Sequence, residues 1–376
     1  MTLWTLALVL AIAGAVHADP PGVTLSPDGT LTKDGKPVRA FGVNYFSLFY
    51  RTLQNPADTT YEAGLATLAE RGIPFVRFMC SGFWPSENQL YMDDREQYFR
   101  RLDAVVKAAE NHGIGLVPSM FWALSNVPDL VGEPCNQWGN PQSKTIAFMR
   151  TYVREVVTRY KDSPAIWGWE FGNEYNLGAD LPNATEWRPA VWPTLGTAAS
   201  RSERDDMTHD MVRSAFAEFA KAVRQYDPYR FITTGNGFPR TSAWHQRAEK
   251  SWTTDTPAQY VEMLLGDTPD PVNVISVHAY GEVERIKPTW DIAKGAKKGL
   301  FVGEFGVAKA RSPETEKQFA DLLGEIERCQ IPLAALWVYD FGDQDQEWNV
   351  TAANARSWQL AAITEANKRI RASQPK

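Results

Sequence analysis

The sequence predicts an α/β fold, a (β/α)8 TIM barrel with a small N-terminal β-hairpin cap. Three observations carry that prediction. Eight short apolar runs alternate with helical or loop stretches between residues 40 and 371, the pattern of parallel strands joined by crossovers. Polar side chains recur at the C-terminal tips of almost all these runs, the end where barrel enzymes keep their chemistry. The first run is followed by Asn44-Tyr45-Phe46-Ser47 rather than a Gly-rich loop, which disfavours an open, nucleotide-binding sheet.

Residues 25–39 read as the hairpin, with Pro27-Asp28-Gly29 and Lys33-Asp34-Gly35-Lys36 as turn signals, placed to cap the N-terminal mouth. The first barrel strand spans 40–45, and a helix over 60–71 stops at Gly72. The second strand is 74–79, followed by a long amphipathic helix over 95–111 that Gly113 closes. The third strand is 115–120, with Trp122 and Trp138 in the loop after it. A helix over 143–160 leads into the fourth strand, Ile166-Trp167-Gly168-Trp169-Glu170-Phe171-Gly172, which ends in Asn173-Glu174. A long irregular segment, 176–202, holds Trp187 and Trp192; such a loop in a compact domain is usually functional or disordered, and its tryptophans favour function. A helix over 205–226, the fifth strand 231–236, a short helix 257–265, the sixth strand 274–280 and the seventh 300–306 follow. The helix 313–329, the eighth strand 334–340 and a last helix 353–371 complete the alternation.

The 376 residues are 44% hydrophobic and 22% charged, with no low-complexity tract, as expected of a folded globular chain. A net charge of −6 argues against a nucleic-acid binder. Residues 1–18 resemble a secretory signal: the stretch 3–16 is nearly all apolar, and Val16-His17-Ala18 suits cleavage before Asp19, although no Lys or Arg precedes it. The expected mature chain, 19–376, is then a single barrel domain, monomeric, secreted or periplasmic, and free of the membrane. Cys80, Cys135 and Cys329 are an odd number; Cys80 and Cys135 are placed to bridge, or all three stay thiols. Neither Cys nor His spacing suggests a metal site, and no cofactor is expected.

The strand-tip polar residues are Asn44, Arg77, Ser119, Asn173 with Glu174, Asn236, His278 with Tyr280, Glu304 and Asp340. A core strand needs none of them, and an unpaired buried polar group costs about 1–3 kcal/mol. Glu174 and Glu304 stand out, because glycosidic bond cleavage takes two carboxyl groups flanking the bond. Glu170 lies lower on the same strand as Glu174 and reads as a buried partner for a cation. Glu304 has a plainer alternative, a structural ion pair with Arg77.

These motifs resemble glycoside hydrolase family 5, the cellulase and β-mannanase family of clan A. Matching features are Arg77 on strand two, Trp169-Glu170-Phe171-Gly172-Asn173-Glu174 on strand four, His278-Ala279-Tyr280 on strand six, Glu304-Phe305-Gly306 on strand seven and Trp337 on strand eight. The resemblance implies retaining hydrolysis of β-linked sugars, with Glu174 as general acid/base and Glu304 as nucleophile. It further implies that Asn173, Arg77, His278, Tyr280 and Trp337 bind or orient the sugar and the carboxylates; Trp122 and Asn44 complete the expected binding set. Ser119 stands where such families often have His, and Tyr175 where Pro often follows the Asn-Glu pair. The implied partner is a β-1,4-linked oligo- or polysaccharide of mannan or glucan type. Exo-acting or transglycosylating enzymes of the same fold, and a barrel that binds carbohydrate without cleaving it, are the alternatives. A serine hydrolase is disfavoured because the sequence has no Gly-x-Ser-x-Gly elbow.

Overall fold

The computed structural model describes residues 21–373. The apolar stretch 1–18 lies outside the described residues. Eight parallel strands close into a barrel: β1 (Ala40–Asn44), β2 (Phe75–Met79), β3 (Gly115–Phe121), β4 (Gly168–Gly172), β5 (Phe231–Thr233), β6 (Val274–Ala279), β7 (Gly299–Phe305) and β8 (Leu333–Leu336). Each pairs with its sequence neighbours, and β8 closes on β1 with Leu333 opposite Ala40 and Leu336 opposite Val43. The hairpin is part of a three-stranded antiparallel sheet, Val23–Leu25, Leu31–Lys33 and Lys36–Pro37. It packs Val23 and Leu31 under the barrel and donates the Val23 N–H to the Trp167 carbonyl at 2.9 Å.

The helices begin and end where local chemistry allows. Asp94 accepts the Gln97 N–H at the start of Arg95–His112, and Gly113, with φ 65°, ends it. Ser143 caps Lys144–Tyr160, and Ser312 caps Pro313–Arg328. Some helices depart from the sequence expectation. Val283–Gly295 covers the crossover between β6 and β7 although Pro288 lies inside it, and an interior proline weakens the helical signal. Ser47–Gln54 follows β1 directly and is too short to show a clear period. The helix after the long fourth-strand loop starts at His209, capped by Thr208, rather than near 205. Among the described residues no helix is long and apolar enough to cross a membrane. The three cysteines are buried free thiols, and burial pushes Cys80 up to about 12.

The barrel interior is layered by the two-residue period of a strand. Its lower layer is apolar: Ala40, Phe75, Val117, Trp167, Phe231, Val274, Phe301 and Leu333 form one buried cluster. Phe75 and Trp167 stack at 5.3 Å across it. Two residues up four of the strands the inward positions turn polar: Arg77 above Phe75, Ser119 above Val117, Thr233 above Phe231, Ser276 and then His278 above Val274. This switch raises the chemistry to the C-terminal mouth while the apolar layer holds the barrel shut below.

Candidate active site

Arg77 is the hub of the mouth. It has no solvent exposure, and each of its five N–H groups has an acceptor. Its Nε donates to Glu170 Oε1 at 2.6 Å, and Nη1 donates to Glu304 Oε1 at 2.8 Å and to Asn44 Oδ1 at 2.9 Å. Its Nη2 donates to Asn173 Oδ1 at 2.9 Å and to the Gly172 carbonyl at 3.3 Å. The Trp122 ring covers its flat face, 4.4 Å from Cζ to the ring centre. A buried guanidinium is tolerable only with such complete pairing. Glu170 is the buried cation partner that its place on β4 suggested.

Glu304, on β7, is nearly buried, with Arg77 on one oxygen and the Tyr280 hydroxyl donating to the other at 2.5 Å. Burial first, and the Glu304 charge second, hold Tyr280 well above the ordinary tyrosine range, so it stays a proton donor. Glu174 stands at the end of β4 in a left-handed conformation, φ 54°. Its N–H donates to the Gly235 carbonyl at 2.9 Å. Gly235 itself has φ 76°, and a Cβ there would come within 1.8 Å of the Gly172 carbonyl oxygen, so only glycine lets the fifth-strand tip approach Glu174 this way.

His278 joins the two carboxylates. Its Nδ1 lies 2.8 Å from Glu174 Oε1 and 3.5 Å from Glu304 Oε2. One atom from each of Glu174, His278 and Glu304 fits within 4.8 Å of the others, so the two carboxyl groups approach the roughly 5 Å separation of a retaining glycosidase rather than the wider gap of an inverting one. Burial raises the Glu174 carboxyl, but the hydrogen bond and charge of His278, then Arg77 and Arg240, outweigh it and leave it below the usual value. With 33% of its side chain exposed, Glu174 faces the cleft, whereas Glu304 keeps only 5%.

The remaining sequence-predicted residues divide. Asn173, Tyr280 and Trp337 are half-buried at the mouth. Trp337 donates from Nε1 to Gln344 and stacks on Trp122 at 5.9 Å. Trp122 is only 6% exposed and packs behind Trp337 and over Arg77, so it is a support and not an open platform. Asn44 corrects the expected binding set more firmly. It is fully buried, donating to the Gly303 and Ala335 carbonyls and accepting from Arg77, with nothing left for a sugar. Arg77 likewise acts from beneath the carboxylates. Trp138 is a core residue, while Trp187 and Trp192 stand exposed on the long loop after β4. That loop is fastened by Arg201 gripping Asp129 with two bonds of 2.7 Å and by Arg188 on Asp206. Sequence reasoning missed Arg240, which with Trp252 lines a cavity of about 360 Å³ together with Glu174, His278 and Tyr280; lying on a loop beyond the β5 tip, Arg240 carries no strand-end signal.

A family model described as cellulase, glycosyl hydrolase family 5, matches residues 31–339. The probable mannan endo-1,4-beta-mannosidase C of Aspergillus terreus is 26% identical over 256 residues, covering 60% of this chain and 57% of that protein. The mannan endo-1,4-beta-mannosidase F of Aspergillus clavatus is 35% identical over 81 residues, 20% of this chain and 18% of that protein. The chain thus spans little more than half the length of the first relative and less of the second. Among solved structures, the endo-1,4-beta-mannanase from Rhizomucor miehei superposes with a TM-score of 0.66 at 17% identity, covering 93% of this chain and 99% of that one. The beta-mannanase from the blue mussel Mytilus edulis gives 0.61 at 14%, covering 93% and 97%. At those identities the structural likeness speaks for the barrel alone. The match of the family model over most of the length decides the assignment: the chain belongs to glycosyl hydrolase family 5, the cellulase family.

Proposed function

We propose that this protein cleaves β-1,4-linked mannan within the chain, with retention of configuration, by double displacement. The observation that carries the reading is the pairing of Glu174 and Glu304 within 4.8 Å around one His278 nitrogen. Glu304, kept ionised and aimed by Arg77 and Tyr280, attacks the anomeric carbon and forms a glycosyl ester. Glu174 gives its proton to the departing glycosidic oxygen, then as a carboxylate takes a proton from the water that breaks the ester. Its lowered resting pKa suits the second step. For the first, a sugar filling the cleft strips water from the exposed third of Glu174, and that desolvation raises a carboxyl toward holding the proton. Asn173, fixed by Arg77, is placed to meet a hydroxyl of the sugar under attack, with Trp337 beneath the ring.

Mannan is preferred over glucan because the relatives in sequence are named mannan endo-1,4-beta-mannosidases and several structural neighbours are named mannanases. We also read the chain as exported, on the apolar stretch 3–16. Product analysis on mannan, cellulose, xyloglucan and mixed-linkage β-glucan tests the substrate. Rapid appearance of mixed manno-oligosaccharides from mannan supports the reading; release of monosaccharide alone from chain ends, or preference for a glucan, contradicts it.

A further inference from the structure

The cavity beside Glu174 contains a cation whose charge helps lower the Glu174 carboxyl but whose hydrogen-bonding fork the chemistry above does not use. Arg240, beyond the tip of β5, is half-buried, yet among the described residues no carboxylate lies within ion-pair distance of it. A partly desolvated charge without a partner is costly, and burial lowers its pKa with Glu174 offsetting only part. Its orientation is nonetheless set: Nε donates to the Leu177 carbonyl at 2.8 Å. No protein acceptor among the described residues takes Nη1 or Nη2, so the open fork of the guanidinium is free to grip a pair of neighbouring oxygens. By contrast Arg285, in the same cavity, is engaged by Glu282 and the Pro239 carbonyl.

Aromatic surface surrounds this free fork. The Trp187 ring centre lies 5.9 Å from Arg240 Cζ, and Trp187 is 61% exposed. Trp252, 54% exposed, lines the cavity with Arg240. Large exposed indoles offer flat faces for the apolar side of a sugar ring.

We propose that Arg240, flanked by Trp187 and Trp252, is the specificity-determining contact for the sugar on the leaving-group side, binding two adjacent oxygens of that residue through its free Nη groups. The side follows from Glu174: the cavity opens against the proton donor, and the donor faces the departing oxygen. The inference rests on the proposed function for that direction. The adjacent oxygens are a vicinal pair of hydroxyls on a neutral sugar or the two oxygens of a uronate.

The test compares Glu304→Ala with Glu304→Ala/Arg240→Ala by titration calorimetry with β-1,4-mannopentaose, which reads binding without turnover. Loss of a charged hydrogen-bonding pair weakens binding by about tenfold or more. In the active background, Arg240→Ala shifts cleavage of mannopentaose toward its reducing end, because fewer sugars are held beyond Glu174; a general loss of folding would slow cleavage without moving it. A C6-oxidised mannopentaose separates the two oxygen sources: tighter binding that depends on Arg240 identifies a carboxylate, and equal binding identifies hydroxyls, either outcome upholding the contact. Unchanged affinity together with an unchanged cleavage position would overturn it. Failure of the wild type to cleave mannopentaose would count against the proposed function and leave the binding comparison to decide on Arg240.

Discussion

Arg77 donates from Nη1 to Glu304 Oε1 at 2.8 Å from a position with no solvent exposure. The same guanidinium holds Glu170 and Asn173, so one residue couples the carboxylate on β7 to the tip of β4. The site is organised from beneath, by a cation with no solvent exposure.

Replacing Arg77 by Met is expected to destabilise the fold by about 3–5 kcal/mol, because two carboxylates lose a buried partner. Adding Glu170→Gln recovers part of that loss by removing one uncompensated charge. Urea unfolding of the single and double variants measures both effects, and strict additivity of the two costs would refute the coupling.

Tyr280→Phe removes the hydroxyl that donates to Glu304 Oε2 at 2.5 Å but leaves the ring against Trp348 at 5.1 Å. A hydrogen bond to a charged group is worth about 1.5–3 kcal/mol, so kcat is expected to fall by about ten- to a hundredfold. The midpoint of thermal unfolding is expected to fall by a few degrees as well, since the same hydrogen bond contributes to the folded state. Wild-type turnover in the variant would show that the hydroxyl has no part in orienting Glu304.

Asp227, before β5, accepts from Trp169 Nε1 at 2.8 Å and pairs with Arg230 at 2.8 Å. Burial raises its carboxyl, but Trp169 and Arg230 lower it more, leaving it below its ordinary value. A depressed acid contributes stability above its unfolded pKa and loses it as pH falls through the folded one. The stability difference between wild type and Asp227→Asn should therefore be full at pH 7 and narrow steadily below about pH 4. Urea midpoints across that range provide the check; a gap that stays constant down to pH 2 would contradict the sign.

The strands were legible because each is a short apolar run ending in a polar residue, and that same ending exposed Glu174, Glu304, His278 and Tyr280 as a set. Burial at the tips was not legible. Asn44 and Arg77 look alike in sequence to groups that meet a ligand, yet both are enclosed because neighbouring strands bring carbonyls and carboxylates over them. Trp122 reads as a platform until Trp337 is seen stacked in front of it. Gly235 carries no signal beyond being a glycine, since its necessity comes from the Gly172 carbonyl on the adjacent strand. Helix Val283–Gly295 was hidden by its own Pro288, which burial of Ile286, Thr289 and Ala293 against the barrel overrides.

The proposed division of labour, with Glu304 as nucleophile and Glu174 as acid/base, is tested most directly by trapping the glycosyl-enzyme. The protein is incubated with a 2-deoxy-2-fluoro β-mannoside bearing an activated leaving group, digested, and its peptides weighed. The expected result is a single added fluorosugar on the peptide containing Glu304, with none on the peptide containing Glu174. A sugar attached to Glu174, or continued turnover of the fluoroside through products of inverted configuration with no labelled peptide, would contradict it.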